Sequence, residues 1–303
     1  MSIEQVSRPT SLRIIEAEGN RGPASSRWWC YVSASRLNLW SKCPLAFRFR
    51  YIDSIASPVT ASLFLGKVVH VALESYYRRR QIGQLPMPED AVSFIESAWQ
   101  AMSEEQLMEW DSAAESTKCR NQAVDLVSAY IREYTDQPER IVAMEASLDT
   151  PLVNPDTGED LGVPLYGIID LVLDTSCTNE PTNGRRAIEG RRLPGSSVLT
   201  LVDFKTAASA SLVTDQAHAV QLTLYSLLLQ GNGYEHVETE IRQLIKTKTP
   251  RICVHRFGER NEQQTRQFFD LCREYLDSLD RGVFNYRPCW SCSMCDYRHL
   301  CDG

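Results

Sequence analysis

The sequence has no run of about 18 or more apolar residues, so no segment reads as a membrane-crossing helix. Its first residues, Met-Ser-Ile-Glu-Gln-Val-Ser-Arg, lack the apolar stretch of a secretory signal, which points to a cytoplasmic protein. No Gly-x4-Gly-Lys-Ser/Thr phosphate loop occurs, so any nucleotide-driven motor activity would have to come from a partner. No internal repeat and no extended low-complexity tract is present, which sets repeat architectures aside. A basic excess is missing too. The net charge of −7 argues against a protein that simply coats nucleic acid. It leaves room for an enzyme, because carboxylates clustered around divalent cations add negative charge.

What is present is an ordinary globular composition: 303 residues, 43% hydrophobic and 23% charged, enough for one large or two ordinary domains. Cysteine is plentiful, at ten residues. In a reducing compartment these read as metal ligands or buried thiols rather than a disulfide framework. Cys292, Cys295 and Cys301 form a C-x2-C-x5-C clip, and Cys43 lies far upstream in Ser-Lys-Cys-Pro. A four-thiolate centre drawing on Cys43 and the clip would tie the two ends of one domain together. Spacing does not separate zinc from an iron–sulfur cluster, since both accept thiolate tetrads. Cys289 offers an alternative fourth ligand, local to the clip. Cys30, Cys119, Cys177, Cys253 and Cys272 read as ordinary thiols.

Hydrophobic periodicity organises the rest. Residues 1 to about 28 are polar and read as a loose tail. A short amphipathic helix is expected from Ser33 to Cys43, ended by Pro44. A second runs from Ser62 to about Arg80, with Val68, Val71 and Ala72 at i, i+3, i+4. Two more are expected over 89–110 and 117–135. Ile141–Leu148, Val163–Leu173 and Val198–Phe204 read as strands. The polar stretch of about 175–197, with four arginines, reads as a hairpin extension or mobile loop. A helix over Thr214–Gln230, strands at Val237–Lys246 and Ile252–Phe257, and a helix over Glu259–Leu279 complete the pattern. That order predicts an α/β core with a helical insert. Basic groups at Arg78-Arg79-Arg80, Arg185-Arg186, Arg191-Arg192 and Lys246, Lys248, Arg251 are candidates for phosphate contact.

The residues able to do chemistry form three groups. Asp203-Phe204-Lys205 ends an apolar strand, and strand alternation puts Asp203 and Lys205 on one side. Asp170 ends Tyr-Gly-Ile-Ile-Asp. Two carboxylates suit a hard cation such as Mg2+, with the Phe204 carbonyl as a further ligand. The lysine would orient water or stabilise charge growing on a phosphate. Alone, an Asp-x-Lys triplet also reads as a surface ion pair. His70, in Gly66-Lys-Val-Val-His70, can complete a divalent metal site, and Glu74 shares its helical face as a secondary candidate. Gln221 and Tyr225 share a face of the later helix, placed to contact a nucleic-acid backbone or brace the lysine.

In order, these motifs are Gly-x-x-x-His, Gly-x-x-Asp, Asp-x-Lys-Thr, Gln-x-x-x-Tyr and the cysteine clip. With the upstream Ser35-Arg-Leu-Asn-Leu-Trp-Ser-Lys-Cys43-Pro44, the series resembles the RecB-type branch of the PD-(D/E)xK nucleases, including its CRISPR-adaptation and phage exonuclease-like members. The resemblance runs from about Ser33 to Cys301. It implies a restriction-endonuclease-like core: a mixed central sheet flanked by helices, with a helical insert at about 84–137. It implies one domain over 29–303, whose cluster segment, 289–301, pairs with Cys43. His70, Asp170 and Asp203 would hold Mg2+ or Mn2+, Lys205 would be catalytic, and Gln221 and Tyr225 would support or bind DNA. Cys43, Cys292, Cys295 and Cys301 would hold a [4Fe–4S] cluster. The implied activity is metal-dependent DNA cleavage, exonucleolytic on single strands or free ends, with a helicase or a recombination or CRISPR-adaptation protein as partner. The gap from Asp170 to Asp203 is longer than the family's compact pattern. Two other readings are a nucleic-acid-binding assembly subunit with a weak or inactive nuclease fold, and a structural zinc or cluster protein.

Overall fold

The computed structural model describes residues 31–105, 108–176, 198–210 and 215–301. The expected N-terminal tail, Cys30, Cys177 and the arginines of the expected loop extension lie outside them. In chain order the main elements are α1 (Ala34–Lys42), α2 (Pro44–Tyr51), α3 (Ala61–Gln81), α4 (Ala91–Glu105), α5 (Ala113–Tyr134), β1 (Arg140–Val153), β2 (Asp160–Asp174), β3 (Val198–Ala207), α6 (Asp215–Gly231), β4 (His236–Ile245), β5 (Arg251–Phe257), α7 (Glu262–Asp280) and α8 (Arg298–Cys301).

Local chemistry explains most boundaries. Thr60 caps α3 by accepting from the Leu63 N–H, Ser112 caps α5 through Glu115, and Asn261 and Gln264 form a reciprocal box at the start of α7. The expected helices and strands are found with ends shifted by a few residues, except that β1 runs on to Val153. Two helices were not anticipated, the four-residue α8 and, more consequential, α2. Pro44 does not simply end α1; it opens α2 at the first helical position, where its missing N–H costs nothing and its fixed φ suits a helix.

Among the described residues the strands form one mixed sheet in sequence order, β1 to β5. β1 and β2 make a long antiparallel hairpin, from Arg140 opposite Asp174 to Val153 opposite Asp160. β2 and β3 are antiparallel only from Leu171–Val202 to Asp174–Leu199. β3 runs parallel to β4 throughout, with α6 as the crossover, and β5 returns antiparallel to β4. Beyond the Leu171–Val202 rung, β2 stays with β1 while β3 stays with β4, so the sheet forks.

Each face of the sheet is covered. Leu199 and Leu201 point into a core shared with α1, α2, α6 and α7, whereas Val202 and Phe204 point into a core shared with α3, α4 and α5. The second core holds buried charge. Arg242 on β4 pairs with Glu139 and Glu240 at 2.8 and 2.6 Å, and Arg80 pairs with Glu139 at 2.7 Å. Arg242 also donates to the hydroxyls of Tyr77 and Tyr130, whose rings pack on Phe204. Every charge there has a partner, which burial demands. This network seats α3 against β3 and β4.

Candidate active site

Asp170 and Asp203 are the first residues past the last rung between β2 and β3, one on each arm of the fork. The Phe204 N–H donates to Asp170 Oδ2 at 2.7 Å, bridging the arms. Asp203 lies on the Leu199–Leu201 side of β3 and is 1% exposed. Lys205, one pleat on, places its Nζ 2.7 Å from Asp203 Oδ2. Gln221 of α6 donates its amide to Asp203 Oδ1 at 2.7 Å and to the Tyr225 hydroxyl at 3.2 Å.

α3 delivers His70 from the other side. Its Nδ1 lies 3.5 Å from Asp170 Oδ1, and its Nε2 is 3.0 Å from the Phe204 carbonyl. All six motif residues expected from the sequence, and the expected carbonyl, therefore converge on the fork. Glu74 does not join them; its carboxylate is held by Arg78 at 2.5 Å. Arg79 faces Asp90 at 3.7 Å and Arg80 is buried on Glu139, so the three consecutive arginines are engaged with carboxylates. Lys246 donates to Ser62 at the start of α3.

Sequence reading missed Glu145. It sits on β1 between the rungs Met144–Leu171 and Ala146–Ile169, opposite Asp170, in a left-handed backbone conformation with φ 42°. His70, Glu145 and Asp170 each offer a ligand atom, all within 4.8 Å of one another. The available signal was a single acid inside the apolar strand Ile-Val-Ala-Met-Glu-Ala-Ser-Leu.

The electrostatics are those of crowded, buried acids. Burial pushes Glu145 up to about 8, helped by the charge of Asp170. Burial also raises Asp203 to about 6, with Lys205 opposing and Asp170 reinforcing. Asp170 is held below its ordinary value although burial works against this, because His70 and Lys205 stabilise its charge. Burial alone would lower His70, but the charge and hydrogen bond of Asp170 lift it to about 9. Asp203 Oδ2 is buried against the Lys205 ammonium at 2.7 Å. The His70 imidazole with the Glu145 and Asp170 carboxylates, their ligand atoms within 4.8 Å of one another, is a donor set that fits a divalent cation with oxygen and nitrogen ligands.

Gly167 explains its place three residues before Asp170. A Cβ there would lie 2.8 Å from Tyr225 Cε1 and 2.9 Å from Leu228 Cδ1, so glycine lets α6 approach β2 closely.

The C-terminal segment docks beside Cys43. Arg287 donates to the Ser41 carbonyl at 2.8 Å and covers Trp40, Tyr297 donates to the Ile55 carbonyl at 3.1 Å, and Ser57 bonds to Asp296. The Cys289 N–H donates to Cys292 Sγ at 3.3 Å. Among the described residues no three thiols approach within 4.8 Å of one another.

Facing carboxylates in the fork of a mixed sheet, with a lysine one pleat along, define an α/β fold of the restriction-endonuclease kind. A family model described as the PD-(D/E)XK nuclease superfamily matches residues 31–181 and 192–302, and the chain belongs to that superfamily. Among solved structures, a candidate exonuclease from Eubacterium rectale is similar over 92% of this chain and 93% of its own, at 13% identity and a TM-score of 0.50. That likeness concerns the fold. The structure of SSO0001 aligns over 87% of this chain and 94% of its own, at 12% identity and a TM-score of 0.35. No curated protein matches the sequence.

Proposed function

We propose that the protein is a divalent-metal-dependent deoxyribonuclease that hydrolyses phosphodiester bonds at the fork of its sheet. The observation that carries this is that α3, β1 and β2 bring ligand atoms of His70, Glu145 and Asp170 within 4.8 Å of one another, with the Asp203–Lys205 pair on the adjoining arm of the fork. His70, Glu145, Asp170, Asp203 and the Phe204 carbonyl are the groups that would hold Mg2+ or Mn2+. When bound, the cation lowers the pKa of water and draws charge from the phosphate oxygens. Lys205, held at Asp203, orients the attacking water and stabilises the charge that builds on phosphorus-bound oxygen. The water oxygen bonds to phosphorus as the bond to the leaving deoxyribose oxygen breaks; the water gives up a proton to solvent and the leaving oxygen takes one from it, so the products are a phosphomonoester and a free hydroxyl. Gln221 fixes the rotamer of Asp203 from behind, and Tyr225 supports Gln221.

The finer reading is an exonuclease acting on DNA ends or single strands in recombination, repair or CRISPR adaptation, working with a helicase or another partner protein. Residues 29–303 form its single nuclease domain. Cys43, Cys292, Cys295 and Cys301 hold a structural [4Fe–4S] cluster that fastens the C-terminus to α1 and α2. The C-terminal segment docked against α1 through Arg287 and Ser41 supports that assignment. The test of the nuclease reading is a digestion series on end-labelled single- and double-stranded DNA. Products should appear with Mg2+ or Mn2+ and vanish with EDTA. Metal-independent cleavage, or none on any DNA, rejects it.

A further inference from the structure

Beside the fork lies a second concavity, a cavity of about 490 Å3 between the first turns of α1, the middle of β2 and the face of α6. Its walls include Tyr31, Ser35, Asn38, Tyr166, Gln221 and Tyr225. It is continuous with the catalytic fork, because Gln221 lines it while donating to Asp203 Oδ1 at 2.7 Å. A ligand seated there is one residue away from the carboxylate that would meet the scissile phosphate.

The lining selects the ligand class. No charged side chain is among it, so the pocket does not suit a phosphate group. It offers aromatic surface instead, with Tyr31 and Tyr166 fixed edge to face at 5.3 Å. The Tyr31 ring is held by the Arg36 guanidinium 4.2 Å from its centre. Neutral hydrogen-bonding groups, the Asn38 amide and the Ser35 hydroxyl, stand at the exposed mouth. Aromatic surface with a few neutral polar groups is the chemistry that holds a nucleobase and its sugar. The volume lies in the range of small-ligand sites and has room for one nucleoside rather than a length of strand. Gly167 at its floor allows Tyr225 to close the inner wall.

We propose that this pocket seats the base and sugar of the nucleotide adjoining the scissile phosphate, which must be unpaired to enter. The proposal rests on the nuclease reading and names its substrate class: an unpaired DNA strand, read at one position by stacking. The device acts by placing the neighbouring phosphate at the fork, while the cation and Lys205 take the charge.

The experiment scans a single abasic position along a short dye-labelled single strand. Binding is measured by anisotropy in Ca2+, and kcat/KM is measured in Mn2+. For the parent, one abasic position next to the cut should weaken binding and lower kcat/KM roughly tenfold, the scale of one lost stacked base. Tyr31→Leu and, separately, Asn38→Ala should each reduce that penalty. Asn38 is exposed, so its variant serves even if Tyr31→Leu folds poorly. A parent with no position-dependent penalty, or variants that keep the full penalty, overturns the pocket. A parent that binds with the penalty yet cuts no DNA leaves the pocket standing and removes the nuclease reading. Cleavage without the penalty does the reverse.

Discussion

Glu145 holds a left-handed backbone conformation in the middle of a strand, which costs a residue with a side chain about 1–3 kcal/mol. The β1–β2 register is the same on either side of it, and its carboxylate lies with His70 and Asp170. Its proton is linked to stability. The folded Glu145 keeps its proton up to about 8, and the unfolded residue loses it near the ordinary value of 4.5. The folded state therefore binds more protons between those values, and stability falls as pH rises. His70 acts in the same direction between 6.5 and about 9. Metal-free protein should show a melting temperature that declines from about pH 6 to pH 9, and Glu145→Gln should flatten the decline. Thermal scans in EDTA at several pH values decide it; an unchanged slope in the variant contradicts the linkage. His70, Asp170, Asp203, Lys205, Gln221 and Tyr225 were legible because each stands in a short motif. Glu145 has no motif partner in sequence, and what brings it to the site is its place opposite Asp170 in the β1–β2 hairpin, a register that sequence does not reveal.

α6 lies closer to β2 than a side chain at Gly167 allows. Gly167→Ala should force Tyr225 and Leu228 back, costing about 1–3 kcal/mol of stability as overpacking does. It should also lower cleavage by loosening the grip of Gln221 on Asp203. Chemical denaturation and turnover on one preparation check both effects; unaltered activity would show that the α6 position does not matter to the site. Most elements were readable, because long periodic runs such as those of α3 and α7 leave few alternatives. Two features were not. The eight-residue α2 hides behind a proline that also reads as a stop signal, and proline at a helix start looks the same in sequence as proline after a helix end. The fork depends on where β2 and β3 cease to pair, which strand periodicity does not reveal.

Across the whole molecule, the first helices and the last segment meet. Arg287 on Ser41 and Tyr297 on Ile55 hold the C-terminal segment against the end of α1 and the stretch after α2. Anaerobic preparation should give a brown protein with about four irons per chain, as a [4Fe–4S] centre implies. Cys43→Ala should lose that iron, with a lower melting temperature. Iron retained by Cys43→Ala but lost by Cys289→Ala would assign the fourth ligand to Cys289, and a colourless protein with stoichiometric zinc would reject the cluster.

In the proposed reaction the carboxylates of the fork, with metal, cut DNA. Single-turnover cleavage of an end-labelled strand across a Mn2+ titration tests it most directly, in the parent and in Asp203→Ala. Asp203 is buried and serves Lys205, Gln221 and the proposed cation together. The parent should show saturable Mn2+ dependence and the variant a loss of at least a hundredfold in rate, on the scale of removing one preorganised electrostatic group, with circular dichroism unchanged. Equal rates in the two proteins would contradict it.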